Sequence, residues 1–168
     1  MEFDPKRNLL YVANYGVNLN GSFSAFKVDP KDGTILERIY NVPFDAGSNV
    51  IPDRQKHAHP HAINIYKNNI YVTDLGSDKI WQYQIDDESV ITKVCGIDTP
   101  KGHGPRHMAI YESLGMAFVL FELECKIGVF QINPSSGLLV LEDIVATIDK
   151  QGIFVDTLEL ISFSYVSK

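Results

Sequence analysis

The chain has 168 residues, 45% of them apolar and 21% charged, and a net charge of −6. That length suits about one domain, and that balance suits an ordinary globular protein. There is no basic run against the 21 acidic residues, which excludes nucleic acid and anionic membrane surfaces as expected partners, and no apolar run approaches the ~20 residues needed to span a bilayer.

Met1–Arg7 has no apolar stretch behind a basic start and does not read as a signal peptide. Cys95 and Cys125 are the only cysteines and form no CxxC pair. Both features suit a reduced, cytoplasmic setting.

In chain order, a truncated innermost strand at Glu2–Pro5 comes first. Leu10–Asn14, Ser22–Val28 and Ile35–Ile39 follow as strands of alternating or β-branched character. Residues 41–56 carry Gly, Pro, Asn and Asp, and the composition predicts a long loop. His61–Ile65, Ile70–Asp74, Lys79–Ile85 and Val90–Val94 repeat the pattern. His107–Tyr111, Met116–Phe121, Lys126–Ile132 and Leu138–Glu142 repeat it again. Val12, Val72, Val119 and Val166 mark equivalent positions, spaced 60, 47 and 47 residues apart.

Four strands per unit of about 45 residues is the pattern of a β-propeller blade. The predicted fold is therefore all-β, with about three and a half four-stranded blades. The units fall at about 1–50, 57–100 and 104–148, with the start of a fourth at 155–168. Closed propellers need roughly four to eight blades. The expectation is a piece of a longer propeller, with self-association through open blade edges as the rival arrangement.

The stretch Gly102–Glu122 carries the most chemistry. Its glycines and Pro105 hold the backbone extended around Arg106 and His107. Two short strands then return the chain, which would bring Glu122 back beside Arg106. A guanidinium can grip an anion or an oxyanion, or it can simply pair with Glu122. A carboxylate ending so apolar a strand must be paired or face water. Glu122 could orient Arg106, or act as acid or base if its pKa is raised.

His57, His59 and His61 alternate, so a strand would put all three on one face. General acid–base work or substrate binding, solvated turn histidines and a metal site are all open readings. No carboxylate or cysteine close in sequence completes a metal set. His107 should face away from Arg106. Asp74 and Asp78 read as turn caps, with Asp74 also a candidate for substrate binding. No nucleotide-binding glycine motif is present, so no organic cofactor is implied.

Tyr11–Tyr15, Asp53-Arg-Gln55, His59-Pro-His61, Asp74-Leu-Gly-Ser-Asp78, Gly104-Pro-Arg-His107 and Glu122-Leu123 together resemble the seven-bladed lactonase family. That family includes 6-phosphogluconolactonases and carboxy-muconate lactonising enzymes. The resemblance covers nearly the whole chain and implies a seven-bladed fold, of which this chain would be about half. It also implies a small-molecule lactone substrate and a place in the pentose phosphate pathway. Carried over position by position, the active-site histidine is His59 or His61, the arginine Arg106 and the carboxylate Glu122. The expected reaction is hydrolysis of a sugar-acid lactone such as 6-phosphogluconolactone. In it His59 or Glu122 activates water, Arg106 holds the anion and His61 is the acid. His57, His61, His107 and Asp74 are the candidate substrate contacts. Muconate-type ring closure and a non-catalytic truncated propeller are the alternatives.

Overall fold

The computed structural model describes residues 1–148, and in them twelve strands form three four-stranded antiparallel sheets. The first holds β1 (Glu2–Asp4), β2 (Leu9–Asn14), β3 (Ser22–Val28) and β4 (Ile35–Pro43). The second holds β5 (Pro60–Tyr66), β6 (Asn69–Asp74), β7 (Lys79–Ile85) and β8 (Ile91–Asp98). The third holds β9 (Pro105–Tyr111), β10 (Met116–Phe121), β11 (Lys126–Ile132) and β12 (Leu139–Ala146). Within each sheet every strand pairs with its sequence neighbours, so each sheet is a meander of local hairpins. The innermost strands β1, β5 and β9 touch in series. This is a partial β-propeller of three blades, as the repeat pattern predicts. The fourth unit expected at 155–168 lies outside the described residues.

The core sits between the sheets, and the strand period explains why. Every residue of β6 is buried. Its alternate side chains point to opposite faces, and each face meets a neighbouring sheet. Ile70 and Val72 pack with Tyr11, Phe23 and Tyr83 on one side. Tyr71 packs with Ile80, Ala117, Val119 and Phe130 on the other. The Tyr71 hydroxyl donates to the Gly137 carbonyl at 2.6 Å, which satisfies its one polar group inside that apolar layer.

The long connection between the first two sheets differs from the expected loop in two respects: β4 runs on past the predicted Ile39 to Pro43, so residues 41–43 are strand, and a helical turn follows. Pro52–Gln55 form a single helical turn, α1. Pro52 suits its start, because the missing N–H would have no helical partner there. Gln55 closes it and is fully buried. Its amide donates to the Leu75 carbonyl at 2.9 Å and to Asp78 Oδ1 at 2.7 Å. The connection is thereby pinned against the second sheet as a fixed arm.

The arm also lies hard against Gly76. A Cβ there would overlap the His57 carbonyl oxygen. Gly76→Ala should therefore push the 57–59 backbone away and destabilise the chain by about 1–3 kcal/mol. Urea unfolding reads this directly. A midpoint equal to wild type would mean that the arm yields freely.

Candidate functional site

The site forms where the ends of the inner strands meet the arm, and two β-bulges aim its side chains. In β5, Pro60 pairs with Asp74 and Ala62 with Thr73, so His61 is an extra residue. In β9, Met108 pairs with Val119 and Pro105 with Phe121, so Arg106 and His107 face the single Leu120. A bulge kinks its strand and redirects the side chains it carries. The Thr73 hydroxyl donates to the Arg106 carbonyl at 2.5 Å, which ties the second bulge to the adjacent sheet.

Glu122 begins a 3-10 turn directly after β10. Its N–H donates to the Gly104 carbonyl at 3.0 Å. One carboxylate oxygen meets Arg106 Nε at 2.8 Å and the other meets Arg54 Nη2 at 2.6 Å. Arg106 Nε also donates to His61 Nε2 at 2.7 Å. The approach of Arg106 to Glu122 that the hairpin predicts is thus present. The second guanidinium, Arg54 from α1, was not assigned a role by the sequence, although it lies in a stretch that carries the family resemblance.

Burial alone would raise the Glu122 pKa. The hydrogen bond from Arg54 and the charges of Arg106 and Arg54 outweigh burial and hold the carboxyl below its usual range. The raised pKa that a proton-shuttling Glu122 would require is therefore corrected to a lowered one. Glu122 is a fixed anion between two guanidiniums.

An arginine nitrogen can only donate, so His61 Nε2 must accept and its Nδ1 carries the proton. That Nδ1 is buried and has no partner among the described residues. Burial, then the Arg106 and His107 charges, lower the His61 pKa. The ring stays neutral at neutral pH.

His59 is nearly buried. Its Nδ1 lies 3.0 Å from the Tyr15 carbonyl, an acceptor only, so Nδ1 donates and Nε2 keeps its lone pair. The Tyr15 ring stacks on His59 with centroids 4.2 Å apart and meets the His61 ring edge-on at 6.0 Å. Tyr15, like Arg54, is a neighbour that sequence reasoning quoted without giving it a role.

The three histidines do not share a strand face as expected, because the strand begins only at Pro60. His57 lies in the bend before it, 6.4 Å from His59 ring to ring. His107 does not simply turn away either. The bulge relaxes the alternation, and its ring sits edge-on to His61 at 4.8 Å.

Asp74 is corrected from substrate contact to turn anchor. It is fully buried. Its oxygens accept from the N–H groups of His59, Gly76 and Ser77, from the Ser77 hydroxyl and from Trp81 Nε1. No lone pair is left for a ligand. Among the described residues, no group of three His, Cys, Asp or Glu converges to hold a metal ion.

The family model described as "Lactonase, 7-bladed beta-propeller" matches residues 1–157. The chain is 25% identical over 134 residues to the 6-phosphogluconolactonase of Bacillus subtilis (strain 168), which covers 80% of this chain and 37% of that protein. It is 31% identical over 122 residues to an uncharacterized protein of Staphylococcus saprophyticus, covering 71% of this chain and 34% of that one. Among solved structures, a protein from Lactobacillus plantarum matches with a TM-score of 0.78 at 27% identity. The periplasmic gluconolactonase of Pseudomonas aeruginosa matches with a TM-score of 0.78 at 24% identity, a likeness of fold. Each of these two matches covers 88% of this chain and 42% of the other. The chain thus spans between 34% and 42% of the length of these relatives. The three meandering sheets agree with that match over residues 1–157: the chain belongs to the lactonase family of seven-bladed β-propellers.

Proposed function

We propose that this chain carries the reaction site of a lactonase that opens a sugar-acid lactone with water, with 6-phosphogluconolactone as substrate. The observation that carries the reading is the continuous array Arg54–Glu122–Arg106–His61, with His59 linked to it through the Tyr15 ring that touches both histidines. Hydrolysis of a lactone needs a base for water, a positive group at the carbonyl oxygen and a proton for the departing ring oxygen. His59 Nε2 has a free lone pair and serves as the base. Arg106 turns its terminal nitrogens to the developing oxyanion while Glu122 fixes its orientation. The proton that His59 Nε2 takes from water is returned to the departing ring oxygen, while neutral His61 accepts from Arg106 and helps to position its guanidinium. A cytoplasmic place in sugar-acid metabolism suits the two unpaired cysteines.

The test is an assay of the chain with 6-phosphogluconolactone and gluconolactone, alongside His59→Gln. Hydrolysis that falls by about 100-fold or more in the variant supports the reading. Hydrolysis that is absent from the wild type, or unaffected by the variant, overturns it.

The His61 environment makes a separate prediction. In an NMR titration of the histidine rings, its midpoint should lie below the ordinary 6.5. Because the folded pKa is depressed, the stability tied to neutral His61 is present above 6.5 and is lost as pH falls through the folded value. Arg106→Ala should move that midpoint upward. A midpoint above 6.5 in the wild type would contradict the buried, neutral ring.

A further inference from the structure

A cleft of about 460 Å³ adjoins the array through Arg54, which lines it. Tyr15, His59, Asp53, Arg54, Lys56 and His57 line it. The chain as a whole is acidic, yet this cleft gathers two permanent cations and two imidazoles against a single carboxylate. Local charge of that kind, opposed to the net charge, draws an anion. Arg54 on α1 and Lys56 directly after it flank the fully buried Gln55, so both cations stand beside an anchored residue. Arg54 Nη2 is committed to Glu122, and Lys56 has no ion pair among the described residues.

We infer that this cleft is a phosphate-monoester subsite, in which Arg54 and Lys56 seat the far end of the substrate while its lactone lies at Arg106. The inference rests on the lactonase reading and adds the residues that select among lactones. Phosphate fits better than carboxylate for a geometric reason. A carboxylate asks for two coplanar donors, which one guanidinium supplies. Here one arm of the guanidinium is already taken, and the further donor is the separate ammonium of Lys56. That arrangement matches the three acceptor oxygens of a phosphate. Because Arg54 touches both the cleft and Glu122, charge bound in the cleft is also felt at the array.

The experiment has two arms on the full chain. In the first, inorganic phosphate is titrated while the His57 and His59 ring resonances are followed by NMR. Saturable shifts are expected in the wild type and in Arg106→Ala, and their loss is expected in Lys56→Glu. The absence of saturable shifts, or shifts that Lys56→Glu leaves unchanged, would overturn the inference. In the second arm, the ratio of kcat/KM for 6-phosphogluconolactone to that for gluconolactone is compared between wild type and Lys56→Ala. A drop of about tenfold is expected for loss of one charge-assisted contact; an unchanged ratio would overturn the selecting role. If phosphate binds through Lys56 but neither lactone is opened, the anion site stands and the lactonase reading falls.

Discussion

Arg106→Ala should lower lactone hydrolysis by about two to three orders of magnitude, the usual effect of deleting a donor that meets a developing oxyanion. The side chain is 39% exposed, and its loss should change stability by less than about 1 kcal/mol. Rate and fold are thus separable in this variant. Arg106→Lys should recover only part of the rate. An ammonium keeps the charge but cannot donate from a rigid fork to His61, Glu122 and substrate together. Measured kcat with unchanged circular dichroism is the check. A rate within threefold of wild type would remove Arg106 from the chemistry and leave it as a strut between sheets.

The second large effect is expected at Asp78, a residue that touches no substrate. It is fully buried with φ of 55°. Its Oδ1 accepts from Gln55 Nε2 at 2.7 Å and from the Gly104 N–H at 2.9 Å, and its Oδ2 from the Gly102 N–H at 2.9 Å. One carboxylate therefore joins the arm, the second sheet and the turn that leads into β9. Asp78→Ala leaves three donors in an environment with little water. The expected loss is about 4 kcal/mol, read by denaturant titration. Asp78→Asn keeps one acceptor oxygen and should lose less. Because Gly104 also receives the Glu122 N–H, the alanine variant should lose activity even where it remains folded. A stability equal to wild type would show that water replaces the carboxylate without penalty.

The strands were legible because their causes are local. Ser22–Val28, Lys79–Ile85 and Lys126–Ile132 show the clearest alternation of each unit, and their bounds in the fold are those the pattern predicts. Turn residues did the rest: Gly33 and Gly137 take the positive φ that ends a hairpin. The pairing of Arg106 with Glu122 was also legible, since a hairpin of known length returns to its start. The bulges were not. An extra residue at His61 or at Arg106–His107 leaves no mark in composition, yet it decides which rings meet. Arg54 was missed for a related reason. In a stretch that reads as loop, a charged residue looks solvated until the buried Gln55 beside it is seen to fix the backbone. Asp74 shows the opposite limit, because a turn aspartate and a ligand-binding one have the same sequence. Only the five donors converging on it separate the two.

The shared carboxylate of Asp78 also carries a consequence for motion. Gly102 and Gly104 sit in a connection outside the ladders, where backbone amides ordinarily trade their protons with solvent quickly. Their amides are sequestered by a buried anion, so deuterium uptake at both should be as slow as within β6. It should also accelerate together with uptake along 52–58, since releasing Asp78 frees both segments in a single opening event.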